Sequence, residues 1–137
     1  MQSYASHRRM DPAFHYVAMP LALVAFVVAL AALIHRFSWT TLLPLLVTLV
    51  LLLTLARLRR YATGLQDRII RSEENLRHFV LAGALLDPRL TLPQIIALRF
   101  ASDAEFPALA RRAAEEGTRP DDLRRAVQQW RADHLRV

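Results

Sequence analysis

Two uncharged apolar stretches decide the fold: residues 17–34 read "VAMPLALVAFVVALAALI" and residues 42–56 read "LLPLLVTLVLLLTLA". About 20 consecutive apolar residues are enough for a helix to cross a bilayer. The sequence therefore predicts transmembrane helices over residues 17–34 and 37–56. Only residues 35–41 separate the two apolar cores, and so short a link predicts an antiparallel helical hairpin within an N-terminal segment of residues 1–56.

The arginines around this hairpin predict its orientation. Arginines precede the first span and follow the second, whereas Arg36 alone lies in the turn. Because positively charged flanking segments stay in the cytoplasm, both termini should be cytoplasmic. Arginines at the membrane surface can also bind anionic lipid headgroups. The residues assigned to these topology and lipid roles are Arg8, Arg9, Arg57, Arg59 and Arg60.

The alternative to a hairpin is a cleaved signal peptide at the N-terminus. Arg8 and Arg9 would then form its charged region, and residues 17–28 would form its apolar core. Ala29-Leu30-Ala31 would be the A-x-A-like cleavage site. This alternative would leave residues 37–56 as a single span.

Alanines in the first span recur on one helix face. They follow one another at steps of four, three, four and three residues, which is the spacing of one face of an α-helix. Small side chains let helix backbones approach closely, and such packing holds helices together in lipid. The spacing predicts a helix-packing seam against the second span or another copy, unless alanine is simply abundant here. The seam residues are Ala18, Ala22, Ala25, Ala29 and Ala32.

The second span should continue into the cytoplasm as a long amphipathic helix over residues 57–86, ended by Asp87-Pro88. Its apolar stripe should pack against the tail or against the same helix of a neighbouring subunit. Glu73 and Arg77 stand four residues apart in the favourable order, which predicts an ion pair on the solvated face. The stripe comprises Leu58, Tyr61, Leu65, Ile69, Leu76 and Val80.

One helix-start pattern occurs three times in the rest of the tail. A hydroxyl residue and the residue three positions later can each bond the other's backbone N–H, which marks the first turn of a helix. Gly117 suits a helix end, and Pro107 should delay or distort the first turn of its helix. The patterns are "TLPQ" (91–94), "SDAE" (102–105) and "TRPD" (118–121). The predicted helices cover residues 92–101, 103–116 and 119–132, so residues 57–137 should form an all-α cytoplasmic domain with a three-helix tail.

One apolar set should form the core of this tail or an anchor for a partner. Trp130 falls on the inner face of the last predicted helix, in register with Leu123 and Val127. A large aromatic residue supplies much of the buried apolar area of a small core. Tryptophan is also frequent as an interface anchor, so the second role stays open. The set is Phe100, Phe106, Leu123, Val127 and Trp130.

Most kinds of chemistry have no residue pattern in this sequence. There is no cysteine, and none of the five histidines has a His or Cys three or four residues away, as metal sites usually do. The sequence also lacks a glycine-rich phosphate loop and a G-x-S-x-G nucleophile motif. Carboxylates such as Asp103 and Glu105 are explained as helix caps or solvated side chains. We therefore predict no catalytic residue, metal, cofactor or small-molecule substrate, and no enzymatic activity.

The net charge of +6 raises nucleic acid as a partner. Three short helices can mimic a helix-turn-helix, in which arginines contact phosphates. Acidic residues are interspersed with these arginines, so the surface is mixed rather than basic, and no nucleic-acid partner is predicted. The arginines in question are Arg111, Arg112, Arg124 and Arg125.

Three motifs resemble a known family. These are "LQDRIIRSEENLR" (65–77), "QIIALRFASDAEFPALARRA" (94–113) and the ending "WRADHLRV" (130–137). In this order they are similar to an uncharacterised bacterial inner-membrane family, a domain of unknown function with two N-terminal transmembrane helices and a cytoplasmic helical tail. The resemblance covers nearly the whole chain and implies no established activity.

The leading functional hypothesis is a non-enzymatic integral membrane protein, a helical scaffold or accessory subunit that assembles with itself or with a larger membrane complex. A pore-forming or transport-complex subunit is the alternative. The spans lack the ionisable residues that ion pathways usually contain, although a backbone-lined pore built from several copies needs none. A membrane-tethered nucleic-acid binder ranks third.

Overall fold

The structure is a computed structural model that describes residues 11–132. The described residues form helices and no strands, which confirms the all-α prediction. Contacts divide the described residues into two units, which we call the N-terminal unit (residues 11–63) and the C-terminal unit (residues 64–132). The elements in chain order are a π-helical turn Ala13–Ala18, α1 Met19–His35, α2 Trp39–Ala82, α3 Leu92–Leu98, α4 Phe106–Glu116 and α5 Pro120–Ala126.

Asp11 directly precedes the first helical run and caps its first turn. One Oδ1 oxygen of Asp11 accepts from the backbone N–H of Ala13 at 3.0 Å and of Phe14 at 3.3 Å. The carboxylate therefore satisfies two N–H groups that have no partner within the first turn. From there the chain continues as a π-helical turn into α1.

Two helices are long and apolar enough to cross a membrane. The run Ala13–His35 contains 23 residues, and α2 contains 44. Most of the large apolar side chains in these runs are exposed, including Leu21, Val28 and Val50. The apolar stretches therefore lack a protein core that would cover them, which is the arrangement expected of helices that face lipid.

The link between α1 and α2 is stabilised by hydroxyl groups. The side-chain oxygen of Thr41 accepts from the backbone N–H of Ser38 at 3.1 Å. The Thr41 hydroxyl also lies 2.8 Å from the Arg36 carbonyl, to which it donates. Further along α2, the Thr48 hydroxyl donates to the Pro44 carbonyl at 2.9 Å. Thr41 thus bonds the link before α2, and Thr48 bonds its own helix.

Helix α2 ends at Ala82, four residues before the predicted end at residue 86. The N–H of Gly83 makes the last helical hydrogen bond, to the Phe79 carbonyl at 2.9 Å. Gly83 then takes a left-handed conformation with φ 72°, which glycine adopts without steric cost. The helix is therefore stopped by glycine before it reaches Asp87-Pro88.

The three tail helices are shorter than predicted, and each difference has a local cause. Helix α3 ends at Leu98 in tight turns, with Ala101 N–H bonded to the Leu98 carbonyl. Helix α4 starts at Phe106 because Pro107 then occupies its first turn, where the missing N–H is tolerated. It ends at Gly117, which is left-handed at φ 63°. Helix α5 ends at Ala126, since the next residue is extended.

The three start patterns differ in outcome. Gln94 Oε1 accepts from both the N–H and the hydroxyl of Thr91, each at 2.8 Å. Glu105 reaches back in the same way to Ser102, although a turn rather than helix lies between them. The third pattern forms no such bond, and the Thr118 hydroxyl is buried without a partner. The residue directly before α5 is Arg119 rather than Thr118, so the hydroxyl does not stand at the capping position.

The C-terminal unit has its own core. Apolar side chains from α3, α4, α5 and the segment after α2 form one buried cluster, against which Leu109, Ala114 and Trp130 pack. The buried members are Leu86, Leu90, Ile95, Ala97, Leu98, Ala101, Phe106, Ala110, Ala113, Leu123 and Val127.

Candidate functional site

Arg77, whose side chain is 10% exposed, joins α2 to the segment between α3 and α4. Arg77 Nη1 donates to Glu74 Oε2 at 3.0 Å, and Nε donates to Asp103 Oδ1 at 2.7 Å. Nη2 donates to the Ala101 carbonyl at 2.6 Å. The guanidinium also lies over the Phe106 ring, 4.3 Å from its centroid. One side chain thus connects four residues by hydrogen bonds and a cation–π contact.

The ion pair on this helix differs from the predicted one. Arg77 bonds Glu74, three residues earlier, whereas the sequence predicted a pair with Glu73 on the solvated face. Glu74 is buried, and this burial raises the pKa of its carboxyl, opposed by the hydrogen bond and charge of Arg77. The pair is therefore part of the packed interior of the C-terminal unit.

A second carboxylate ties the end of α5 to the start of α4. Glu105 Oε2 accepts from the Gln128 N–H, and Oε1 accepts from the Gln129 N–H, both at 3.1 Å. Oε1 also accepts from the Ser102 N–H at 3.1 Å. Desolvation raises the pKa of Glu105, but these backbone hydrogen bonds together outweigh it and lower the pKa.

The predicted tail set lies together at this end of the C-terminal unit. Phe100, Phe106, Leu123 and Val127 are buried. Trp130 is half-buried and does not lie on a helix, since it follows α5 and forms an antiparallel bridge with Ala101. Its ring stacks at a tilt on Phe100, with centroids 5.0 Å apart. The structure thus leaves Trp130 in contact with the core and also partly accessible.

The apolar stripe on α2 is exposed. Within the C-terminal unit, α2 turns Ile70 and Glu74 into the interior, and neither belongs to the predicted stripe. Leu65 is 59% exposed, Ile69 57% and Leu76 64%. Leu58, Tyr61 and Val80 are exposed as well. The prediction that the stripe could pack against the tail is wrong for these residues, because another face of the helix makes that contact.

The predicted alanine seam is partly buried. Ala22 and Ala29 are buried, Ala18 and Ala25 are half-buried, and Ala32 is exposed. Seam packing in a membrane stays a prediction.

The arginines assigned to topology and lipid binding occupy different environments. Arg57 and Arg60 are exposed, whereas Arg59 is half-buried with its guanidinium 5.6 Å from the centre of the Phe14 ring. Arg8 and Arg9 lie outside the described residues. Their roles stay predictions.

The C-terminal unit has an open groove of about 580 Å³. Its charged lining is mixed: Asp87 pairs with Arg89 at 2.7 Å, and Arg111 and Glu115 lie nearby. Hydrogen bonds from Arg89 lower the pKa of Asp87 to about 2. Because positive and negative side chains both line the groove, its charge favours neither an anionic nor a cationic ligand. Among residues 11–132, no group of three His, Cys, Asp or Glu side chains could hold a metal ion.

These features define an all-helical protein with two helices of membrane-spanning length and a small helical unit that presents an exposed apolar helix face. The chain belongs to the Family of unknown function (DUF6526), whose model matches residues 1–137. The resemblance to an uncharacterised family is thus confirmed. No curated protein and no solved structure matches the chain.

Proposed function

We propose that this chain is a non-enzymatic integral protein of the bacterial inner membrane that acts as a helical scaffold or accessory subunit. In this proposal the two apolar helices form a membrane hairpin with both termini in the cytoplasm. The C-terminal unit then lies in the cytoplasm and binds other protein, either further copies or subunits of a larger complex.

The observation that carries the proposal is the exposed stripe on α2. Ile70 and Glu74 are buried on one face of α2, while Leu65, Ile69 and Leu76 stay exposed on another. A row of large exposed apolar side chains, rimmed by charged residues, is typical of a protein interaction surface. The stripe therefore supports assembly more directly than it supports catalysis or transport.

The mass of the purified full-length protein in detergent tests the proposal. We expect a mass above that of one chain, or a co-eluting protein identified by mass spectrometry. A Leu65→Glu/Leu76→Glu variant should have the mass of one chain and no co-eluting protein, because it places charges in the stripe. The matched control is Arg71→Glu, which changes an exposed residue elsewhere on α2. A strict monomer with no partner would contradict the proposal, and ion flux into liposomes would favour the pore alternative.

Topology is tested separately by reporter fusions at residues 5 and 137. Both reporters should show a cytoplasmic location, because arginines outweigh Arg36 on that side of the hairpin. An end found outside would contradict the two-span arrangement.

A further inference from the structure

The exposed face of α2 has the spacing of a coiled-coil seam. Within the C-terminal unit, Leu65, Ile69, Ser72, Leu76 and Phe79 follow one another at steps of four, three, four and three residues. All five are exposed. Alternating steps of four and three define the a and d positions of a heptad, with Ile69 and Leu76 at a and Leu65, Ser72 and Phe79 at d.

The sequence continues this heptad towards the N-terminus. Ala62 stands seven residues before Ile69, and Leu58 stands seven before Leu65. A seven-residue repeat keeps the same narrow face turned towards a partner helix. The seam is therefore narrower and more regular than an amphipathic surface that simply covers a core.

The residues beside the seam carry complementary charges. Arg68 occupies a g position and Glu73 the e position of the following heptad, and both are exposed. In a parallel pair of helices, a g residue faces the e residue five positions later in the other helix. Arg68 of one copy would therefore face Glu73 of the other, and the reciprocal pair would form by symmetry.

The polar residue in the seam has its hydrogen bond already. The Ser72 hydroxyl donates to the Arg68 carbonyl of its own helix at 3.1 Å. Burying Ser72 against a partner would then leave no donor without an acceptor. A small hydroxyl residue at d is consequently compatible with close helix contact.

We propose that the occupant of this seam is a second copy of the chain, paired as a parallel, in-register coiled coil through residues 65–79. The inference rests on the proposed function in one respect, since hairpins inserted in the same membrane present α2 in the same direction. Shared anchoring also raises the effective concentration of the two helices, which lets a seam of about two heptads associate.

The other surface of α2 stays free for its own tail in this dimer. Glu74 and Asp67 occupy f positions, which point away from the partner helix in a coiled coil. Glu74 bonds Arg77, and through it the segment between α3 and α4. Dimer formation and packing of the C-terminal unit therefore use different faces of one helix.

Cysteine crosslinking of the full-length protein in its membrane tests the proposal, because the natural chain has no cysteine. Ser72→Cys is nearly isosteric and places two thiols face to face at a d position, within the Cα separation of less than about 7 Å that a disulfide needs. Oxidation should convert this variant to a covalent dimer several-fold more than Arg71→Cys. Arg71 is exposed at a c position, outside the seam.

A charge exchange in the Ser72→Cys background tests the register. Arg68→Glu should lower the crosslinked fraction several-fold, because it would face Glu73 of the other copy. Adding Glu73→Arg should restore it, since the opposite charges are then exchanged. A double variant that crosslinks no better than Arg68→Glu alone would overturn the register.

The outcomes separate this inference from the proposed function. Equal crosslinking at Ser72→Cys and Arg71→Cys would indicate random collision and overturn the paired helix. No crosslinking from a protein that still shows added mass or a co-eluting partner would overturn the second copy as occupant and leave the proposed function standing. A monomer without crosslinks would contradict both.

Discussion

The guanidinium of Arg77 donates to the carboxylate of Glu74 across 3.0 Å, and the two side chains are only 10% and 7% exposed. Arg77 also reaches the Ala101 carbonyl and Asp103, so the pair ties α2 to the segment between α3 and α4. Removing one member of a buried pair leaves the other charge without compensation. The packing of the segment between α3 and α4 on α2 should therefore depend strongly on Arg77.

Arg77→Ala should destabilise the C-terminal unit by about 3–5 kcal/mol, because Glu74 would remain buried without its cation. Thermal unfolding of the full-length protein in detergent, with protease sensitivity of the tail, measures the effect. Arg71→Ala is the matched control and should change stability by no more than about 0.5 kcal/mol, since Arg71 is exposed. Arg77→Met/Glu74→Leu should recover most of the loss, because it removes both buried charges. Equal stability of Arg77→Ala and Arg71→Ala would contradict this account.

Glu105 should make the C-terminal unit sensitive to acid. Its pKa is lowered in the folded state, so its stabilising contribution is present above its ordinary pKa of 4.5 and is lost as pH falls through the lowered value. Glu105→Ala should cost about 1.5–3 kcal/mol at neutral pH, because it removes the acceptor of the Gln128 and Gln129 N–H groups. It should also flatten the loss of stability at acid pH, measured as melting temperature against pH.

The pKa of Glu74 is shifted in the opposite direction to that of Glu105. Burial raises its pKa above 4.5, so its contribution is most favourable below that pH and weakens as pH rises through the raised value. Glu74→Gln should therefore remove a decline in stability above pH 4.5. Glu105→Ala should instead change the stability below pH 4.5. Identical pH profiles for the two variants would contradict these assignments.

Local sequence patterns predicted the helices but not their tertiary contacts. The apolar runs, Gly117 and the Thr91 start pattern are signals within a few residues of the structure they specify. From them follow α1, the first part of α2, the start of α3 and the end of α4. The sequence predicted the end of this helix at Asp87-Pro88, whereas α2 ends at Ala82, directly before Gly83. The physical reason for the earlier end is its left-handed conformation, which a spacing rule does not detect.

The candidate site depended on contacts between distant residues, which spacing does not encode. Arg77 has a carboxylate both three and four residues earlier, and only the packing of the tail decides that Glu74 is the buried partner. Its second partner, Asp103, lies 26 residues away in sequence. Likewise the sequence explains Glu105 as a helix cap or a solvated side chain, and its bonds to residues after α5 follow only from the fold. The early end of α5 belongs here too, since those bonds hold Gln128 and Gln129 outside the helix.

Phe106 should contribute more to stability than Trp130, although tryptophan is the larger residue. Phe106 is fully buried and lies beneath the Arg77 guanidinium, whereas Trp130 is half-buried. Phe106→Ala should cost about 3–5 kcal/mol, because it leaves a cavity in the core. Trp130→Ala should cost less, mainly through its lost contact with Phe100. Unfolding of both full-length variants in detergent checks the order.

The same pair of variants bears on the two roles kept open for Trp130. A Trp130→Ala protein that stays folded but loses its added mass or a co-eluting partner would assign Trp130 to an interface. A loss of stability as large as that of Phe106→Ala would instead assign it to the core. In either case Phe106→Ala should make the tail sensitive to protease.

The buried alanines of α1 predict where that helix tolerates no larger side chain. Ala29 is 6% exposed, whereas Ala32, three residues further along the same predicted seam, is exposed. Ala29→Leu should destabilise the N-terminal unit by about 1–3 kcal/mol, because three extra carbon atoms must be accommodated where there is little space. Ala32→Leu is the matched control and should have little effect, since its side chain meets no such restriction. Thermal unfolding of the full-length variants in detergent measures the difference, and equal melting temperatures would show that alanine is at position 29 by composition rather than for packing.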